Sequence, residues 1–470
     1  MKKIPANAYF NPTLCDYFKA MQRDDPKYLY LPVETAAREL DAKLLLALYA
    51  ANKGFDVVLA NRAILNAEIH KFPAGIYMSH NFDKGRCRIL KILKRLGHQL
   101  MAWDEEGLVW LNEQAYQNRR FFEPSVAQLD TIFAWGQEHA SVLSMLSKAG
   151  AATGLTIIAA GNPRADLLTP QLRQLYGQQA KVLEQKHGDF ILLNSNFGWL
   201  NYALDRTSKT ETLDGRLQRL AQKSRHSLDY IKYRHMVFQA FCDLLPILSE
   251  RFKDRQIIIR PHPSETPQAW QHATKGLENV SVHYDSDLVP WLMAAGIVLH
   301  NGCTTAVEAA MLGKCAIMYE PARNAEFDSR QPRAVSAIAK TADEVVALIS
   351  SPPSLSKQQE QAMGNMVAGW GESLSAPLIA DYLAKTYHLK NRQLDRLSGK
   401  FQARVRKLQK IFDQSKANSP SNLNYIGQKF PPLPFAELAG RMRKMADLAG
   451  LPCPDIIAHS DRIYKISMPS

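Results

Sequence analysis

Short apolar runs, each closed by a polar or glycine-bearing loop and separated from the next by apolar positions at helical spacing, recur along this chain. Residues 28–33 and 55–60 flank a helical stretch that ends near Ala51, and residues 74–78 and 98–103 flank a second at 86–95; further runs follow at 131–136 and 156–161. Strands alternating with helices build parallel sheets covered on both faces, because every crossover carries the chain back over the sheet. After a polar helical stretch at 169–187, read as the link between domains, a second series runs through 189–194, 256–260, 280–283, 296–300 and 315–319. At 470 residues the chain exceeds what one hydrophobic core usually supports. The expected fold is therefore α/β: two tandem doubly wound, Rossmann-like domains at 1–176 and 177–385, then a basic helical extension at 386–470. No internal tandem repeat interrupts this pattern. On such sheets ligands sit beyond the carboxyl ends of the strands, so the post-strand loops are where function is sought.

Composition narrows the classes. Hydrophobic content of 46% and charged content of 22% are those of an ordinary globular protein. The N-terminus has two lysines but then Pro5 and Asn7 in place of an apolar signal core, and the longest purely apolar run, 44–51, is far too short to span a bilayer. A cytoplasmic chain is expected. Six scattered cysteines, with no C-x-x-C pair, read as free thiols, and Cys303 as packing material rather than a nucleophile. A net charge of +13 implies an acidic partner. The charge gathers in two places, an amphipathic basic helix at 86–95 and a segment at 385–416 with ten Lys or Arg against Asp395 and Asp413. Either is suited to anionic lipid headgroups at the inner membrane surface, or is simply a solvated helix face. A nucleic-acid partner is not expected.

Three post-strand loops carry chemistry. His300-Asn301-Gly302-Cys303-Thr304-Thr305 leads a strand through small residues into a helix bearing Glu308, an arrangement that lets backbone N–H groups and the positive helix end meet a phosphate; the plainer alternative is a Thr N-cap. Arg260-Pro261-His262-Pro263-Ser264 clamps an imidazole between two prolines, which aims it at a ligand. Asp104-Glu105-Glu106-Gly107 places adjacent acids after a first-domain strand, where like charges raise one another's pKa and prepare a general base, unless the loop is merely solvated. Glu34, Arg38 and Glu39 follow another strand on what is taken as the acceptor side. Ser195, Asn196 and Gly198 open the second domain with groups that suit a phosphate or sugar, and 161–166 closes the first as a hinge-positioning loop. No D-x-D motif or His/Asp metal cluster stands at a strand end, so no metal cofactor is expected and charge on a leaving phosphate falls to protein groups.

With these residues assembled, the chain resembles the bacterial surface-carbohydrate biosynthesis proteins, a group with the GT-B glycosyltransferase-like fold, over about residues 31–319. More distantly it is similar to bacterial sialyltransferases and capsular Kdo transferases, which use CMP-activated acidic sugars. The resemblance implies that Glu105-Glu106-Gly107 matches the motif supplying the catalytic base and His262-Pro263 the motif contacting CMP, with Ser195, Thr304 and Thr305 at the phosphate. Two departures stand out: Asp104 precedes the acidic motif, and Asn301-Gly302-Cys303 replaces the glutamine and serine of the Kdo transferases. What the resemblance implies is a metal-independent transferase of surface polysaccharide synthesis acting on a glycan or lipid-linked acceptor, with Glu105 as base, His262 at the leaving phosphate and a nucleotide-sugar donor. A UDP-sugar 2-epimerase, a CDP-polyol phosphotransferase and a non-catalytic assembly protein share the fold and stand as alternatives.

Overall fold

The computed structural model describes residues 26–149, 154–198, 200–201, 212–224, 226–262, 264–284, 287–389, 393–414 and 422–469. The first 25 residues, Cys15 among them, Pro263 and residues 415–421 lie outside the described residues. The chain forms two compact units: unit 1 takes in the described residues up to Gly107, Gln117–Leu167 and those from Ala368 on, and unit 2 comprises Leu108–Tyr116 and Leu168–Val367. These differ from three consecutive segments at 1–176, 177–385 and 386–470, because the chain leaves unit 1 and later returns to it. Each unit is a doubly wound α/β layer structure, the fold class expected of a GT-B chain.

In unit 1 an eight-stranded sheet has the order β13-β14-β2-β1-β3-β4-β5-β6. Six parallel strands, β1 (Lys27–Val33), β2 (Phe55–Asn61), β3 (Ile76–Ser79), β4 (Gln99–Trp103), β5 (Thr131–Ala134) and β6 (Thr156–Ala159), come from the first apolar series. Chain order reverses between β1 and β3, so the switch point of this sheet lies between the loops that follow them. The helices that matter below are α1 (Ala36–Asn52), α2 (Arg62–Glu68) and α3 (Cys87–Arg95). The last hundred residues are more than a basic helical extension. They supply α6 (Ser375–Thr386) and α7 (Gln393–Asp413), then the hairpin β13 (Asp455–Ser460) and β14 (Ile463–Ser467), whose second strand pairs antiparallel with β2. Tyr464 and Ile466 are fully buried there, and Lys465 reaches Asp56 at 2.8 Å.

Unit 2 has a six-stranded parallel sheet of order β12-β11-β10-β7-β8-β9. Its strands are β7 (Ile191–Asn194), β8 (Ile257–Arg260), β9 (Val280–Val282), β10 (Ile297–His300), β11 (Ala316–Tyr319) and β12 (Ala337–Ala339). Ile191, Leu193, Ile257, Ile259, Ile297 and Leu299 point into one core with Phe241, Leu245 and Leu248 of helix α4 (Leu228–Arg251). Strand order runs outward from β7 to β9 on one side and from β10 to β12 on the other, so the switch point lies between β7 and β10. Helix α5 (Thr304–Met311) starts just beyond it.

Candidate active site

In unit 2 the loops after β7, β8 and β10 are tied together by one carboxylate. Glu265, only 5% exposed, accepts from Ser195 Oγ at 2.9 Å, from the backbone N–H groups of Phe197 at 2.9 Å and His262 at 3.2 Å, from Asn201 Nδ2 at 3.1 Å and from Trp270 Nε1 at 2.9 Å. Five neutral donors saturate both oxygens, which is what makes a buried carboxylate tolerable. Glu265 directly follows the segment Arg260-Pro261-His262-Pro263-Ser264; its place three residues beyond His262 and just before a helix start was the available signal. Ser195 is corrected by the same contact. It spends its one hydrogen on Glu265 and is buried, so it positions the loop and has no O–H left for a phosphate.

Asn301 bridges the switch point, its Oδ1 accepting the backbone N–H of Asn196 at 2.8 Å. Its Nδ2 is buried with no hydrogen-bond partner. Asn196 Nδ2 leans toward the Gly302 carbonyl at 3.5 Å, and Arg234 donates to the Asn196 carbonyl while lying over the Phe197 ring. Gly302, with φ +89°, and Gly198, with φ +59°, hold a left-handed backbone that an L side chain rarely adopts. Buried His300 fixes the turn from below: its Nδ1 accepts from Gly302 N at 3.0 Å, and its Nε2–H points at Ser336 Oγ at 2.9 Å, which in turn donates to Pro332 O. Burial takes the His300 pKa down to about 3, so the ring is neutral. The cap of α5 is Cys303, not Thr304 or Thr305; it makes no side-chain capping bond, and burial raises its thiol pKa, consistent with packing. Thr304 and Thr305 are the first helical residues, and Glu308 is buried one turn on.

His262 is exposed at this edge. Ser264 N donates to its Nδ1 at 3.2 Å and Ser264 Oγ lies 2.7 Å away, an arrangement that leaves the proton of the neutral ring on Nε2. Arg260 is buried with its guanidinium over the Trp291 ring at 5.5 Å. The unit thus gathers His262, Ser264, Asn196, Gly198, Asn301, Gly302 and the start of α5 beyond the carboxyl ends of β7, β8 and β10.

In unit 1 the acids of the loop after β4 face separate partners rather than one another. Each carboxylate has its own cation. Asp104, fully buried, takes a two-pronged bond from Arg120 at 2.8 and 3.1 Å. Glu105, 4% exposed, accepts from Trp103 Nε1 at 2.7 Å and lies 3.2 Å from Lys43 through the same Oε1, while Oε2 is buried with no hydrogen-bond partner. Glu106 is half-exposed against Arg38; burial pushes its pKa up, but Arg38 and Arg120 outweigh it and hold the group below the ordinary carboxylate range. Gly107 is required here because a Cβ would come within 2.4 Å of the His139 ring.

The residues read as acceptor-side are largely committed to structure. Glu39 reaches back to the start of α1, where Thr35 makes no side-chain cap: it accepts from Thr35 N at 3.1 Å and Glu34 N at 3.0 Å and pairs with buried Lys43 at 2.7 Å. Glu34 lies at the switch point, 3.1 Å from His80, 3.3 Å from Arg62 and 2.8 Å from Lys429. The loop at 161–166 also has local duties, Asn162 capping its own short helix and Asp166 capping α6 through Ser375 N and Ala376 N at 2.8 and 2.7 Å. Among the described residues no cluster of three or more His, Cys, Asp or Glu side chains is placed to hold a metal ion, and no helix is long and apolar enough to cross a membrane.

No protein-family model and no curated protein matches the chain. Among solved structures it is similar to the UDP-GlcNAc 2-epimerase of Neisseria meningitidis bound to UDP-GlcNAc, at 14% identity over 77% of this chain and 100% of that one, with a TM-score of 0.46. The UDP-GlcNAc 2-epimerase of Methanocaldococcus jannaschii gives 12% identity over 77% and 100%, TM-score 0.48, and the wall teichoic acid polymerase TagF 10% over 79% and 92%, TM-score 0.44. At these identities what those proteins bind does not transfer; the strand orders and switch points above define the fold on their own.

Proposed function

We propose that the chain is a glycosyltransferase of surface-polysaccharide synthesis: unit 2 holds the phosphate and nucleotide of an activated sugar, and unit 1 supplies the base and the acceptor-binding surface. The observation that carries this is the built switch point of unit 2, where Asn301 and Glu265 lock three post-strand loops around an exposed His262 and the positive end of α5. Charge developing on the departing phosphate is met by His262 Nε2–H, by loop N–H groups and by α5, preorganised so that no reorientation is needed during transfer. In unit 1 Glu105 is the base by its place in the E-E-G motif: Trp103 and Lys43 hold Oε1, the buried Oε2 makes no hydrogen bond and meets an acceptor hydroxyl once the loop opens to it, whereas Glu106 is engaged by Arg38. The H-P and E-E-G motifs extend the reading to a CMP-activated acidic sugar. An acceptor carried by lipid agrees with the exposed apolar face of α7 taken up below.

The test is nucleotide binding followed by transfer. CMP is expected to raise the melting temperature of the full chain more than CDP, UDP or GDP, with about 2.7 kcal/mol of stabilisation at a hundredfold excess over Kd. Asn301→Ala is expected to abolish that response, and His262→Ala to lower transfer by about 10²-fold or more, as removal of a preorganised donor does. A chain stabilised by none of the four nucleotides is not this enzyme, and isomerisation of a UDP-sugar without any acceptor makes it an epimerase.

A further inference from the structure

Among the described residues the two buried lysines have carboxylate partners, Lys43 on Glu39 and Glu105 and Lys465 on Asp56. One group near the switch point of unit 1 breaks the pattern. Arg86 is 4% exposed, its Nε has no hydrogen-bond partner, and the hydrogen bond its side chain makes among the described residues is a long one of 3.4 Å from NH2 to the Tyr77 hydroxyl. Tyr77 donates its own hydrogen to Asn66 Oδ1 at 2.6 Å, and the Asn66 carbonyl accepts from Arg406 NH1 of α7 at 3.4 Å. Arg62, one turn before Asn66 on α2, also has a buried Nε without a hydrogen-bond partner, and its carboxylate partner among the described residues is Glu34, already shared with His80 and Lys429. Arg88 is exposed and donates to Gln409, so the group runs from buried Arg86 out to solvent. Of the nearby acids, Glu68 is taken by Lys71 and Lys407, and Asp83 forms no ion pair with Arg86 and acts on it only through space, as the least of the influences on it.

An arginine does not escape by losing its proton, so a buried unpaired guanidinium costs free energy unless an anion joins it. Arg86 is also the N-cap of α3, the helix end where a cation is least favoured and an anion most. The repulsion is mutual: burial first and then Arg86, Arg88 and Arg62 take the Arg406 pKa down to about 10, and burial with Arg62 lowers that of Arg86.

We propose that Arg62, Arg86 and Arg406 form a binding site in unit 1 for a phosphate or diphosphate ester, a second anion distinct from any nucleotide held by unit 2. Guanidinium forks suit phosphoryl oxygens, and three of them around one amide and one phenol are set for a group with more than one negative charge. The site does not depend on what unit 2 binds.

Calorimetric titration and thermal shift of the full chain with sodium pyrophosphate, against sodium chloride of matched ionic strength, decide it. Saturable stabilisation by pyrophosphate is expected, weakened about tenfold or more in Arg86→Met and in Arg406→Gln. In anion-free buffer Arg86→Met is expected to melt no lower than the parent, since an uncompensated buried charge has gone; a merely structural arginine would lower it. Asn301→Ala is expected to keep the pyrophosphate response while losing the nucleotide response, so the two readings fail separately. If Arg86→Met does not fold, the half-buried Arg406→Gln carries the test. Binding of short-chain phosphatidic acid, lost in the same variants, assigns the anion to a lipid-borne phosphate; response to soluble pyrophosphate alone assigns it to a free ester. Absence of saturable binding, or binding unchanged in both variants, overturns the proposal.

Discussion

Glu265 accepts five hydrogen bonds and pairs with no cation among the described residues, so its negative charge is held by dipoles that also shape the loops around His262. Replacing it with glutamine keeps the volume but turns one acceptor into a donor. That donor faces either Asn201 Nδ2 and Trp270 Nε1 or the Ser195 and backbone hydrogens, and both sets are donors. Glu265→Gln is therefore expected to cost about 3 kcal/mol, read as a lowered midpoint in urea unfolding, and to weaken nucleotide binding as the His262 loop loosens. The linear order of residues shows why the placement of His262 and the acidic loop beyond strand ends was legible and the hydrogen bond that engages Ser195 was not. His262 and Glu105 follow strands and stand in short motifs, so their position beyond a sheet edge can be read locally. Whether Ser195 faces a ligand depends on Glu265, seventy positions away in sequence. Nor does local reading show that Arg120 pairs with Asp104 and Lys43 faces Glu105, so that adjacent acids in the chain end in separate ion pairs.

Two basic, amphipathic helices with the same sequence signature end in opposite situations. In α3 the apolar stripe Ile89, Leu90, Ile92 and Leu93 is buried in the core of unit 1, which leaves its lysines and arginines as a solvated face. α7 is turned the other way. At 100° per residue Leu397, Phe401, Leu408, Ile411 and Phe412 share one face, and all five are exposed, Phe401 at 68% and Phe412 at 75%. Ala403 is buried on the opposite face, where Arg406 contacts Asn66. Lys400 and Arg404 lie exposed among the apolar residues. An apolar stripe edged by cations is the pattern that would suit an anionic bilayer surface, with the helix in the interfacial plane. The pattern was visible in the sequence for both helices; which face is covered is decided by neighbours distant in the chain, α2 and α3 in the case of α7. The double variant Phe401→Ser, Phe412→Ser is expected to reduce co-sedimentation with phosphatidylglycerol-rich vesicles by a hundredfold or so, at roughly 1.5 kcal/mol for each phenylalanine. Its melting temperature should match the parent's, because neither ring is packed in the core; equal sedimentation of variant and parent would leave α7 a solvated helix.

At the scale of the whole molecule the same dependence on distant segments hides the domain division. The two strand series were legible because each strand is locally apolar and each crossover short. The return of the chain at Ala368 was not, since β14 joins the sheet beside β2, some 400 positions earlier, through pairs such as Tyr464 with Leu59. The division has a consequence for acid stability. In unit 1 His80, His98 and His139 are buried, and burial takes their pKa down to about 3, about 4 and about 3; in unit 2 only His300 is comparably buried, at about 3. The unfolded chain takes up protons at these positions near pH 6.5 while the folded units do not, so stability is complete above that pH and lost as pH falls toward the folded values. Each such histidine contributes a slope of about 1.4 kcal/mol per pH unit. Asp166 offsets one of them in unit 1, because burial raises its pKa to about 6 and folding then binds a proton the unfolded chain has released. Half-buried His70 and His459 in unit 1 and His235 in unit 2, lowered by burial as well, add in the destabilising sense. Unit 1 should therefore lose stability about twice as steeply as unit 2 between pH 6.5 and 5. Calorimetric scans across that range are expected to separate one transition into two, the lower belonging to unit 1, and His139→Gln should flatten its pH dependence by about one proton; transitions that move together through the range would contradict this assignment of buried neutral histidines.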